Sequence, residues 1–283
     1  MALPIYATPL EKAWHWTFRV FCVLVLLFLI LPIFVIIPLS FNSTPFFTFT
    51  KEMLLLQPEG YSLRWYEDFA TNRNWQEAVQ NSAIISLFST LLATALGTLA
   101  ALGLSQSNIP MRTTLMAMLI SPMIVPLIIT AAAMFFFYSS VDLQGTYVGV
   151  ILAHTALATP FVVITVTATL SGFDRTMIRA GLSLGATPAT VFFKIVVPLI
   201  LPGVISGALF AFITSFDEVV VILFVGSYSQ HTIPWQMFSG IREQISPTIL
   251  AVATILVSIS ILLLIAVEIL RRHSERMRGL SPT

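Results

Sequence analysis

Six apolar runs, each long enough to cross a bilayer, dictate what this chain can fold into. They are Val20 to Phe41, Asn81 to Leu104, Thr113 to Tyr138, Tyr147 to Leu170, Ile195 to Val225 and Pro247 to Ile269. A hydrocarbon core takes roughly 20 residues of helix to span. Inside it the backbone must satisfy its own hydrogen bonds, and runs this continuous do so as helices. Only 10% of the residues are charged against 57% hydrophobic, where a soluble domain carries roughly 25% charged. The expected fold is all-α, a polytopic membrane protein with about six transmembrane helices. The first run exceeds the apolar core of a signal peptide, about 7–15 residues, and no small-residue cleavage pattern follows it, so it is read as a retained helix.

Much chemistry is excluded early. A net charge of +1 gives no basic footprint for nucleic acid. The one cysteine, Cys22, cannot form an intrachain disulfide, and His15, His154, His231 and His273 have no ligand-like spacing. Neither a metal site nor a catalytic site is expected. No phosphate-cradling Gly-x-x-x-x-Gly-Lys-Ser/Thr loop occurs, so the chain should bind no ATP.

Lysine and arginine set the orientation. With both termini in the cytoplasm, that side holds Lys12, Arg19, Arg112, Arg175, Arg179, Lys194, Arg271, Arg272, Arg276 and Arg278. The other side holds Lys51, Arg64, Arg73 and Arg242, which completes the 14. Residues 1–19 then form a cytoplasmic tail, 20–270 the transmembrane domain and 271–283 a basic cytoplasmic tail. Asn42 to Gln80 is the longest extramembrane loop. Pro122 and Pro126 are expected to bend the third span. Pro198, Pro202 and Gly203 are expected to divide an entry turn from the fifth. Trp14, Trp16 and the Phe135–Tyr138 cluster suit an interfacial aromatic belt.

The cytoplasmic link 171–194 is different from the other links. It is too polar to cross lipid yet keeps helical periodicity, with Met177, Ala180 and Leu184 on one face. Thr187 can cap a second short helix that opens with Pro188, and Gly185 lies between the two helices. The segment reads as a helix–glycine–helix elbow.

These residues resemble the EAA loop of ABC-importer permeases: Glu-Ala-Ala, three residues, Gly, nine residues, Ile-x-Leu-Pro. Here the pattern is Arg179-Ala180-Gly181, Gly185 followed by Ala186, then Ile195-Val196-Val197-Pro198. Arg179, Gly181 and Val197 depart from it. The resemblance implies a type I importer permease fold in a bacterial inner membrane. It also implies that the elbow docks into separate ATP-binding subunits, which carry the ATP and magnesium. A second, homologous permease chain and an extracytoplasmic substrate-binding protein would complete the importer. The outer loops, including Ser227 to Ser246, would receive the binding protein.

Asp217 and Glu218 are the adjacent carboxylates well inside a span, and buried charges there usually face a pathway or a partner. Counted from Gly203, Asp217 lies about 21 Å up the helix. Ser206, Phe210, Thr214 and Asp217 share one face, a candidate pore face. Two carboxylates without a cation in the same span suit a cationic substrate; the alternative is that Asp217 pairs with a basic residue on a second permease chain, or is protonated and helps packing. The Ser215-Phe216-Asp217-Glu218 stretch and Ile245-Ser246-Pro247-Thr248 resemble the spermidine/putrescine branch, which implies a polyamine. The alternatives are a permease for another small organic solute, such as an amino-acid-like compound or a phosphonate, and a self-sufficient secondary transporter. The latter would favour an inverted repeat with matched broken helices, and none is visible.

Overall fold

The computed structural model describes residues 8–105, 109–172, 174, 176–243 and 246–277, with side chains through Leu262 and again at Ile265. In chain order the helices are α1 (Pro9–Leu39), α2 (Lys51–Leu54), α3 (Arg64–Thr71), α4 (Arg73–Leu104), α5 (Arg112–Ile124), α6 (Leu127–Ser140) and α7 (Tyr147–Ser171). They continue with α8 (Thr176–Ser183), α9 (Pro188–Val191), α10 (Val197–Phe216), α11 (Val220–Val225), α12 (Ile233–Glu243) and α13 (Thr248–Met277). The chain forms two compact units, one of residues 73–239 and one of 1–72 with 240–283.

Helices α1, α4, α7 and the continuous stretch Pro188–Phe216 are each long and apolar enough to cross a membrane. The third apolar run is two helices, α5 and α6, bent by 102°. The break falls at Val125, which is extended (φ −70°, ψ 135°) immediately before Pro126. A proline ring pushes its predecessor out of the helical region, so Pro126 makes the bend and Pro122 stays inside α5. The sixth run lies within α13, whose described apolar part is Thr248–Leu262.

The fifth run departs from expectation. Pro198, Pro202 and Gly203 do not divide an entry turn from the span, since all three lie within α10. Pro198 is the second residue of α10. A π-helical turn, Phe192–Val196, joins α9 to α10 without a break. The interruption comes later, after Phe216.

In the unit of residues 1–72 and 240–283, α1 begins ahead of its apolar run. Glu11 N–H donates to the Thr8 hydroxyl at 3.3 Å and Thr8 N–H donates to the Glu11 carboxylate at 2.8 Å, a reciprocal cap. The loop after α1 folds around Asn42. Its Nδ2 donates to the carbonyls of Phe46 (2.9 Å) and Thr48 (2.7 Å), and Trp65 Nε1 donates to its carbonyl at 2.7 Å. The Thr248 hydroxyl, at the start of α13, donates to Asp68 of α3 at 2.7 Å.

In the unit of residues 73–239, α4, α7 and α10 pack together through small residues: Ala93 and Ala101, then Ala158, Val162 and Val166, then Ala211. Lipid provides no hydrophobic drive between helices, so close van der Waals contact must supply the attraction. The approach is tight. A Cβ on Gly97 would lie 2.7 Å from Val162 Cβ, and one on Gly207 would lie 2.5 Å from Thr165 Oγ1. A second cluster packs Val221, Ile222 and Val225 of α11 against Ile85, Ala131, Tyr138, Val150, Ala153 and Leu157.

Candidate coupling elbow and substrate pathway

All the candidate site residues belong to the unit of residues 73–239. They form two separate groups on it.

The first is the elbow. Helix α8 ends with Ala186 N–H donating to Gly181 C=O at 3.2 Å and Gly185 N–H donating to Leu182 C=O at 3.0 Å. This is a Schellman ending, which puts its C′ residue in the left-handed region. Gly185 occupies that place at φ +83°. A Cβ there would meet open space, so the dihedral rather than crowding calls for glycine. Gly181 is the opposite case. Its φ is ordinary, but a Cβ would lie 2.9 Å from Ile195 Cδ1 and 3.1 Å from Val191 Cγ2. Here glycine lets α8 lie against the start of the next helix, and it accounts for the side chain of Ile195.

Thr187 then caps α9, its hydroxyl accepting from Thr190 N–H at 3.3 Å with Pro188 following. Pro198 lies beyond the π-helical turn in α10. Arg179 and Ala180 are exposed, as are Leu182, Phe193 and above all Leu184, at 88%. At the elbow's start, the hydroxyl (2.7 Å) and amide (2.9 Å) of Thr176 donate to Asp174. They hold its carboxyl below the ordinary aspartate value. Arg175 lies outside the described residues.

The second group surrounds the interruption after α10. On one side of α10, Gly203, Gly207, Ala211 and Ser215 are buried at steps of four. On the neighbouring face, Ser206, Phe210 and Asp217 are exposed and Thr214 is half-buried. The face predicted from periodicity is therefore open in this chain. Phe210 stacks on Phe161 with ring centroids 6.3 Å apart.

Asp217 and Glu218 differ sharply. Asp217 terminates α10 (φ −88°, ψ 0°) and is exposed. Glu218 is 9% exposed and turns inward, where its Oε1 accepts the Val221 N–H at 3.0 Å. It supplies an acceptor for one of the orphan amides at the start of α11. Behind them on α7, the fully buried His154 places Nδ1 at 3.1 Å from the Ser215 carbonyl and 2.9 Å from its hydroxyl.

Sequence reasoning did not find the polar clasp around Asn81 of α4 and Tyr147, the first residue of α7. Asn81 Nδ2 donates to the carbonyls of Ser229 (3.0 Å) and His231 (2.9 Å), while the Tyr147 hydroxyl donates to Asn81 Oδ1 at 2.5 Å. The His231 ring bridges the carbonyls of Tyr228 (2.5 Å) and Asn74 (3.0 Å), and Ile233 N–H donates to Ser82 Oγ at 2.8 Å. The clasp fixes the segment around Ser227–Ile233 to α4. An asparagine opening an apolar run was the one available signal. Among the described residues, no three His, Cys, Asp or Glu side chains gather as a metal site requires.

Residues 93–278 match the family model described as binding-protein-dependent transport system inner membrane component. The chain is 32% identical to the spermidine/putrescine transport system permease protein PotC of Haemophilus influenzae, over 90% of this chain and 96% of that one. It is 30% identical to the putrescine transport system permease protein PotI of Escherichia coli, over 81% of each. A subunit of a bacterial ABC transporter involved in import of the acidic polysaccharide alginate superposes with a TM-score of 0.70. That likeness covers 95% of this chain and 99% of that one at 14% identity, and bears on fold alone.

Proposed function

We propose, from the premise that this chain belongs to the family of binding-protein-dependent transport system inner membrane components, that it is the permease subunit of an ABC importer for polyamines. It is a multi-pass membrane protein of the transport-permease kind, and its relatives named for spermidine and putrescine align over most of its length. The observation that carries the substrate class is Asp217: an exposed carboxylate at the end of an open helix face, making no ion pair among the described residues. In a water-poor passage an ammonium is the natural counter-charge for such a group. The aromatic Phe210 on the same face adds a surface that alkylammonium chains pack on.

In this reading both termini lie in the cytoplasm, the exposed elbow docks on an ATPase subunit, and ATP and magnesium belong to that partner. Where the usual EAA loop carries glutamate, Arg179 is matched by a carboxylate on this ATPase, or the second permease chain carries the standard glutamate. A second permease chain closes the other half of the passage, and a substrate-binding protein delivers at the face held by the Asn81 clasp. The chain itself carries no catalytic group and no cofactor. Glu218 supports the passage by capping α11, while Asp217 meets the substrate.

The test is uptake of labelled spermidine and putrescine by cells lacking the gene and then supplied with wild type or Asp217→Asn. Wild type should restore uptake, and the variant should lose about tenfold or more, the scale of one charge pair lost in a desolvated site. Equal restoration by both would remove Asp217 from the passage. No uptake defect on deletion, in a strain without other polyamine importers, would overturn the substrate class.

A further inference from the structure

We infer that His154 is a positioning residue for the passage: it latches the end of α10 to α7 and so aims Asp217 at the open face. This rests on the reading of Asp217 given above.

The latch follows from three observations. First, His154 Nδ1 lies 3.1 Å from the Ser215 carbonyl and 2.9 Å from the Ser215 hydroxyl, and in the tautomer with Nδ1 protonated it donates to that carbonyl, which can only accept. That carbonyl belongs to the last turn of α10, where the helix stops and supplies no further donors. The histidine therefore satisfies an acceptor that the interruption itself creates. Second, Nε2 is buried and has no hydrogen-bond partner among the described residues. Burying an unpaired polar atom is unfavourable, so a ring here for packing alone would be better as an aliphatic or phenyl side chain. The gain comes from Nδ1. Third, the contact lies two residues before Asp217, and on the other side Glu218 Oε1 holds Val221 N–H at 3.0 Å. Asp217 is thus bracketed by a latch before it and a cap after it, and its own N–H donates to Ile213 C=O at 3.0 Å. With both sides pinned, Glu218 faces inward and Asp217 outward.

The experiment reads geometry without any substrate. Cys22→Ser removes the one native cysteine, and a reporter cysteine is then placed by Asp217→Cys or, on the same open face away from the interruption, by Ser206→Cys. The assembled transporter in membranes is labelled with a trimethylammonium methanethiosulfonate reagent. Adding His154→Leu should slow labelling at 217 by about tenfold, the effect of orphaning a buried acceptor, and leave labelling at 206 unchanged. His154→Asn places an amide donor near Nδ1 and should restore the rate, whereas His154→Gln, whose amide reaches instead toward Nε2, should not. Should the leucine variant fail to assemble, the asparagine and glutamine variants carry the comparison. Unchanged labelling at 217, parallel slowing at both reporters, or equal behaviour of asparagine and glutamine would each overturn the latch. A wrong polyamine assignment would leave these rates as expected while Asp217→Asn left uptake intact, so the two failures are distinguishable.

Discussion

The elbow and the interruption after α10 both break a helix within one unit, yet they do so by opposite means. At the elbow the backbone turns on local devices: a left-handed Gly185, then Thr187 capping and Pro188 opening α9. Its outer residues, with Leu184 at 88% exposure, stand free of the rest of the unit. At the interruption no glycine or proline intervenes between Phe216 and Val220. The chain is held there by side chains instead: Glu218 on Val221 and His154 on Ser215. A turn made from backbone preference survives exposure to another protein. A turn made from buried hydrogen bonds can keep one carboxylate in and present its neighbour outward.

That contrast makes graded predictions. Replacing Gly185 by proline should have the largest effect. Proline is confined near φ −65° and cannot adopt +83°, so uptake should fall to background while the chain still reaches the membrane in normal amount. Uptake near wild type, with insertion checked by immunoblot, would show that the elbow's shape is not needed for transport. Next is Glu218. Glu218→Ala removes the acceptor for Val221 N–H and should cost about 1 kcal/mol of stability, read as a lower melting temperature of the purified transporter. Glu218→Gln keeps an acceptor oxygen and should stay within about twofold of wild-type uptake, unlike Asp217→Asn, because a cap needs an oxygen rather than a charge. A glutamine variant as inactive as Asp217→Asn would put both carboxylates in the passage. The smallest effect belongs to Thr187→Ala at the exposed cap of α9, where about 0.5–1 kcal/mol is at stake and uptake should change little. A large loss of uptake there would mean that the hydroxyl also touches the docking partner.

Legibility in the sequence divides along the same line. The apolar runs, the Gly185 turn and the Thr187–Pro188 cap are local patterns, and each could be read from a handful of neighbouring residues. The need for glycine at 181 could not be read, because it comes from the side chains of Val191 and Ile195 across the turn. The end of α10 was also hidden. Apolar residues resume after Glu218, so periodicity argues for one helix to Val225, and the histidine that holds the break lies 61 residues away. Asn81 is more distant still, reaching the carbonyls of Ser229 and His231 across 148 and 150 residues. Local pattern likewise favours a break at Pro198 and Pro202, yet Pro198 enters α10 straight from the π-helical turn and Pro202 lies inside α10.

The π-helical turn has a mechanical consequence. Because Phe192–Val196 joins the elbow to α10 without a loop, a push on the elbow would be passed along the helix from Val197 to Phe216 to Asp217 at its tip. At 1.5 Å per residue that helix is about 30 Å long. A tilt of about 6° at the elbow would carry the tip through about 3 Å, roughly the span between a salt-bridged ammonium and one that has let go.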